Sequence, residues 1–138
     1  MMATMTAAEA QIVQFVEPMP GFDDEESYAL SAIDDHGVLL SMRSTRDPGL
    51  RFVLTSPDLF FDDYRPELGP VVTEALGADT EADVRMLLVL TIGEGLADAT
   101  ANMRAPIVLS TATGRAMQVV LDDESLPMHR PLAGAHYS

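Results

Sequence analysis

Short segments with the alternation of a β-strand recur along this chain, and turn-forming residues separate them. Within most segments apolar and polar side chains alternate, as they do on a strand with one face in a core. Turn signals return at intervals of about 8 to 12 residues, the spacing of an all-β sandwich or barrel. The sequence therefore predicts a mainly β, antiparallel barrel-like or sandwich-like fold of about seven or eight strands. The predicted strands are residues 11–16, 27–33, 38–44, 51–55, 84–92, 106–111 and 115–121.

Two short helices are predicted between the fourth and fifth of these strands. Ser56 and Pro57 form a good helix start, because Ser caps the first turn and Pro suits its first position. This helix is expected to end near Tyr64. A second helix is expected to begin at Pro70 and to close at Gly77, which can adopt the left-handed conformation of a C-cap. The following segment, residues 84–92, is nearly all apolar, which predicts a strand buried on both faces.

The chain length suits one domain. It has 138 residues, with neither an internal repeat nor a linker-like stretch. We expect a single domain at residues 11–132, a flexible N-terminus at residues 1–10 and a loose tail at residues 133–138. The N-terminus lacks the basic and apolar regions of a signal peptide. The longest apolar run, residues 86–90, is far shorter than the roughly 20 residues of a membrane helix.

Charge and cysteine content exclude several classes of function. Twenty-two acidic residues against eight basic ones give a formal net charge of −14, and every basic residue is Arg. Direct binding to a nucleic-acid backbone requires the opposite sign, whereas an acidic surface favours a basic partner. The alternative is that the charge only provides solubility. With no cysteine, disulfides and thiolate metal sites are excluded, and a reducing, cytoplasmic location is favoured.

Catalytic and metal-binding patterns are weak. Ser125 precedes His129 by four residues, with Asp122 and Asp123 upstream, which resembles a turn more than a nucleophile with its base. Consecutive acids at residues 23–26 and 122–124 lack the alternating ligands and glycine of a calcium loop. We therefore predict neither enzyme activity, cofactor nor metal. A small-ligand-binding or hydrolytic β-barrel with a site near His129 is the alternative.

Four blocks of the sequence resemble the flagellar assembly factor family FliW. Residues 101–109 (ANMRAPIVL) resemble the family block T-x-N-L-x-A-P-I-V-x-N, and residues 115–123 (RAMQVVLDD) resemble the strand that follows it. Residues 20–22 match L-P-G-F, and residues 52–64 match F-x-[VI]-x-x-P-x-x-F-F-x-x-Y. Their order and spacing hold over nearly the whole chain. The chain departs from the family pattern at Pro18, Ala101, Met103, Ser110 and Leu126.

This resemblance implies two protein partners. One is CsrA, a small RNA-binding translational repressor that FliW-like proteins inactivate, which frees flagellin mRNA for translation. The other is flagellin, which competes with CsrA for FliW. Neither a membrane nor a small-molecule substrate is expected.

Candidate residues for these roles fall into two groups. For the acids of the first group the alternative is a solvated loop, and for its one aromatic residue the alternative is a core position. The residues suggested to contact a partner are Asp23, Asp24, Glu25, Glu26, Asp62, Asp63 and Tyr64. Those that match family motifs are expected to act structurally, in turns, a helix start and a strand-to-loop corner: Pro20, Gly21, Phe22, Pro57, Phe61, Asn102, Ala105, Pro106 and Gln118.

Overall fold

The computed structural model contains nine strands in its described part, which comprises residues 10–19, 22, 26–33, 38–47, 49–61, 64, 66, 68–78, 84–92 and 98–132. The predicted tail at residues 133–138 lies outside these ranges, as do residues 1–9 and residues 34–37, which join the second and third predicted strands. The strands are β1 Ala10–Phe15, β2 Ser27–Ala32, β3 Leu39–Ser44, β4 Arg51–Thr55, β5 Val84–Thr91, β6 Thr100–Ala101, β7 Ile107–Ser110, β8 Arg115–Gln118 and β9 Arg130–Pro131.

Seven of these strands close into a barrel. Their order is β4-β3-β2-β1-β8-β7-β5, and pairing of β4 with β5 completes the ring. Strands β6 and β9 extend the sheet outward from β5. The predicted mainly β, barrel-like fold is confirmed, and its strand pairs are antiparallel as predicted except β1 and β8, which pair in parallel. A ring with an odd number of strands cannot alternate in direction throughout, so one parallel pair is unavoidable.

The barrel interior holds the first of the three hydrophobic clusters that the described residues form. Along β2 every second residue is buried, as expected for a strand with one face in a core. Tyr28 from this strand packs edge to face against Phe15, with ring centroids 5.1 Å apart, and against Phe52 at 6.2 Å. Such edge-on packing of aromatic rings is favourable beyond the area that it buries.

Strand β5 is buried on both faces at its centre, which confirms the prediction for residues 87–90. Leu87 belongs to the interior cluster. Leu88 and Leu90 belong to a second cluster on the outside of the barrel, together with residues from the segment after β4. At the two ends of the predicted segment the prediction is wrong, because residues 84–86 are only half-buried and Thr91 and Ile92 are exposed.

The only α-helix of the described residues, α1, covers part of the outer barrel surface. It spans Pro70–Leu76, and it buries Val72 and Leu76 against Val108 of β7 in a third cluster. Gly77 ends the helix in the left-handed conformation, with φ 73°. The prediction of a helix from Pro70 to Gly77 is therefore confirmed. None of the described helices is long and apolar enough to cross a membrane.

The other predicted helix is reduced to one turn of 3-10 helix at Pro57–Leu59. Phe60 and Phe61 lie outside it, and both are buried in the second cluster. Adjacent side chains of a continued α-helix point about 100° apart. Packing of both rings into one cluster therefore competes with the local start signal and ends the helix early.

Because β5 is buried on both faces, we expect a substitution on either face to lower the free energy of unfolding. Leu87→Ala and Leu88→Ala should each lower the free energy of unfolding by about 2–5 kcal/mol, because each leaves a cavity in a different cluster. Ile92→Ala, at a side chain 39% exposed, is the matched control and should cost less than about 1 kcal/mol. Urea unfolding measures all three. If Leu88→Ala lowered the free energy of unfolding no more than the control does, the result would contradict the packing of Leu88 in the outer cluster.

Candidate protein-binding surface

Motif residues from distant parts of the sequence meet at the loop that joins β6 to β7, residues 102–106, which we term the corner. Asn102 begins the corner, and its backbone N–H donates to Val89 O of β5 at 3.0 Å. Its side-chain Oδ1 accepts a hydrogen bond from the backbone N–H of Arg104 at 3.0 Å. Gln118, at the end of β8, donates from Nε2 to Ala105 O at 3.2 Å. Side chains thus satisfy backbone groups that the irregular loop leaves without a strand partner.

Two aromatic residues from the segment after β4 support the corner from beneath. Tyr64 is 5% exposed, and its hydroxyl donates to Met103 O at 2.5 Å. Burial raises the pKa of Tyr64 to about 12. Phe61 is buried too, and the guanidinium carbon of Arg130 lies 4.6 Å from the centroid of its ring. This distance is within the range of a cation–π interaction.

Tyr64 was predicted as a partner contact, and the structure instead places it in the core. Of the two possibilities given for Tyr64, a partner contact or a core side chain, the structure therefore shows the core side chain. Its hydroxyl is engaged by the corner, and its ring is in the second cluster. Phe61, another aromatic residue of this motif segment, lies in the same cluster.

Arg104 attaches a second loop, residues 119–129, to the corner; we term it the C-terminal loop. Its Nε donates to Leu126 O and its Nη2 to Glu124 O, both at 3.0 Å. Backbone hydrogen bonds add to this attachment, from Leu121 N to Arg104 O at 2.7 Å and from Met103 N to Pro127 O at 3.0 Å. Arg104 was not predicted as a functional residue, and its only signal in the sequence is that it is the one cation inside the motif of residues 101–109.

The outer side of the C-terminal loop is acidic. Asp122, Asp123 and Glu124 are all exposed. Asp123 Oδ1 accepts hydrogen bonds from the hydroxyl of Ser125 at 2.6 Å and from its backbone N–H at 3.0 Å. These two bonds, the first being the stronger cause, and the nearby charge of Arg104 lower the pKa of Asp123. The hydrogen bonds from Ser125 thus favour the charged form of Asp123.

The described residues do not form the hydrolytic site near His129 that was the alternative prediction. A nucleophilic serine must donate its hydroxyl proton to its base, but Ser125 donates to Asp123 instead. His129 is exposed, and its Nδ1 lies 3.4 Å from Thr100 Oγ1. In the described ranges, no group of three or more His, Cys, Asp or Glu side chains is placed to hold a metal ion. His36 and His136 lie outside these ranges.

Most of the acids predicted to contact a partner lie outside the described residues, so their contacts stay a prediction; Glu26 is described and is exposed. Of the motif residues, Phe22 packs edge to face on Phe52 at 5.4 Å, and Pro57 O accepts the backbone N–H groups of Phe60 and Phe61. Pro106 is buried, and its carbonyl accepts from Val119 N. The predicted residues outside the described ranges are Pro20, Gly21, Asp23, Asp24, Glu25, Asp62 and Asp63.

The buried Tyr64 hydroxyl predicts a pH effect. The unfolded chain has an ordinary tyrosine pKa near 10, while the folded value is about 12. Between these values the unfolded state loses this proton first, so the stabilisation present below pH 10 is lost as the pH rises towards 12. Tyr64→Phe should therefore be less stable than the parent by about 1–2 kcal/mol at pH 7, because Met103 O loses its donor. Urea unfolding at pH 7 and from pH 10 to 11.5 should show this difference shrinking; a constant difference would contradict the raised pKa.

The attachment by Arg104 predicts a local loss of order. Arg104→Met keeps much of the apolar stem but removes both donors to the loop carbonyls, so it should cost about 1–3 kcal/mol of stability. Hydrogen exchange should become faster at Leu121 and Leu126, whose amides bond within this region. The control is Arg51→Met, at an exposed position on β4. Equal exchange in the two variants would show that Arg104 does not hold the loop.

Comparison with known proteins identifies the family to which this chain is similar in sequence and structure. The family model described as FliW protein matches residues 1–132. The flagellar assembly factor FliW of Bacillus subtilis strain 168 is 32% identical over 130 residues, covering 94% of this chain and 91% of that protein. FliW of Geobacillus sp. strain WCH70 is 35% identical over 113 residues, covering 82% and 78%. A crystal structure of the flagellar assembly factor FliW superimposes with a TM-score of 0.80 at 30% identity, covering 88% of this chain and 85% of that one. The chain belongs to the FliW family of flagellar assembly factors.

Proposed function

We propose that this flagellar assembly factor acts in the cytoplasm by binding two proteins. It binds and antagonises CsrA, which relieves repression of flagellin mRNA, and it binds flagellin in the manner of a chaperone. Competition between the two partners would then couple flagellin synthesis to flagellin supply. Family membership supports the general role, and the identity of the partners is our proposal.

The observation that carries this proposal is the net charge of −14. A protein that binds RNA must offer cationic side chains to the phosphates. An acidic chain is attracted to such a protein and is repelled by RNA. The charge is therefore of the sign that favours an encounter with CsrA over an encounter with its mRNA.

The acids named from the sequence stay proposed contacts for these partners. They are Asp23, Asp24, Glu25, Glu26, Asp62 and Asp63. Because both groups occur as runs of like charge, their contribution is expected in steering the encounter more than in close packing. Their neutralisation should slow association more than it speeds dissociation.

Calorimetry with purified partners tests the proposal. CsrA and flagellin from the same organism should each release or absorb heat on titration into the chain. Flagellin bound beforehand should weaken the apparent affinity for CsrA. Bovine serum albumin, another acidic protein, serves in place of this chain as a control for non-specific attraction to CsrA. The absence of binding to both partners would refute the proposed function, and binding without competition would refute the coupling.

A further inference from the structure

The C-terminal loop presents apolar side chains to solvent at both ends of its acidic stretch. Val120 is 66% exposed and Met128 is 49% exposed. Their neighbours Leu121 and Leu126 pack against the second cluster, so the loop has an inner apolar side and a separate outer one. Exposed apolar side chains occur singly on most proteins, and they suggest an interaction site when they share one ordered surface.

The loop that carries these side chains is held in place before any partner binds. Leu121 and Pro127, one residue inside Val120 and Met128 respectively, bond to consecutive residues of the corner, Arg104 and Met103. The Arg104 side chain adds two further bonds to loop carbonyls. A surface already ordered in the free protein loses little conformational entropy on binding, and this favours affinity.

The charge between the two apolar positions determines which partner fits. Asp122, Asp123 and Glu124 are exposed. Among the described residues, no hydrogen bond or ion pair engages the carboxylates of Asp122 and Glu124. The nearest cation on the corner, Arg104, directs its donors to carbonyl oxygens instead. This surface therefore retains negative charge beside exposed apolar groups, which a basic protein face can complement and a phosphate-bearing polymer or an anionic membrane cannot.

We propose that Val120, Met128 and the acids Asp122, Asp123 and Glu124 form a docking surface for a basic protein. The partner places an apolar side chain against Val120 and Met128, and its cationic side chains face the three acids. This inference rests on the proposed function and makes it more specific, because it assigns the surface to the basic RNA-binding partner, CsrA. Flagellin is the competing occupant that the test must separate.

The first test removes the apolar groups and keeps the charge. The double variant Val120→Ser/Met128→Ser should bind CsrA at least about ten-fold more weakly, as expected when a central apolar contact is lost. Ile12→Ser is the matched control, since Ile12 is 50% exposed on the outer face of β1 and pairs with Ala29 of β2. The control should bind like the parent. Calorimetry gives the affinities, and urea unfolding shows whether each variant is still folded.

The second test removes charge and leaves the packing unchanged. Asp122→Asn/Glu124→Gln should slow association with CsrA, and it should reduce the dependence of the association rate on salt between about 20 and 150 mM, where screening increases. Glu74→Gln, at an exposed position on α1, is the control for loss of a distant charge. This variant alters only exposed side chains, so it decides the matter if the apolar variant is unstable.

The possible outcomes distinguish a failure of the proposed function from a failure of the docking surface alone. If the parent chain binds neither protein, the proposed function fails and this inference fails with it. If the parent binds CsrA but both loop variants bind it like their controls, the docking surface is refuted while the function stands. Weakened binding of flagellin with unchanged binding of CsrA would also refute it, because the surface would then belong to the other partner.

Discussion

Burial of β5 on both faces is the constraint on which the rest of the structure depends. Through Leu87 the strand contributes to the barrel interior, and through Leu88 to the outer cluster. Its pairing with β4 closes the barrel, while its pairing with β6 starts the extension that carries β9. The corner begins at a hydrogen bond to Val89 of this strand. The position of the C-terminal loop therefore follows from a strand whose register is fixed on two sides, because a slip of one residue would move Leu87 and Leu88 out of the clusters in which they pack.

Sequence reasoning predicted the elements whose signals are local. Residues 51–55 carry Phe52 and Leu54 on one face of a short segment that follows a turn signal, and the strand was predicted with the bounds that the structure shows. Pro70 and Gly77 mark the ends of α1 because their backbone preferences act within one turn of helix. Strands β6 and β9 were not predicted, because each has two residues, too few to show the alternation of side chains that marks a strand. Their pairing is set by contacts across the chain.

The candidate site was predictable only in part, for the same physical reason. Asn102 and Gln118 were found through motif spacing, which marks residues that a family keeps but does not reveal what their side chains touch. The role of Arg104 depends on the carbonyls of Glu124 and Leu126, and a backbone carbonyl leaves no trace in a sequence pattern. For Tyr64 the sequence left a partner contact and a core position open, and only the structure shows that the second cluster buries its ring. Packing partners far along the chain decided both cases.

Arginine chemistry links the internal structure of this chain to its surface charge. Three arginines engage neutral partners: Arg104 two carbonyls, Arg130 the ring of Phe61, and Arg85 the hydroxyl of Ser56 at 3.4 Å. A guanidinium suits these roles because it is planar and carries five donors, so one side chain can bridge several acceptors or lie over a ring, which an ammonium does less well. A cation directed at a neutral acceptor inside the structure is one fewer available to form an ion pair with an acid outside. With only eight arginines against twenty-two acids, this use of the cations leaves the carboxylates of Asp122 and Glu124 without a hydrogen bond or ion pair among the described residues.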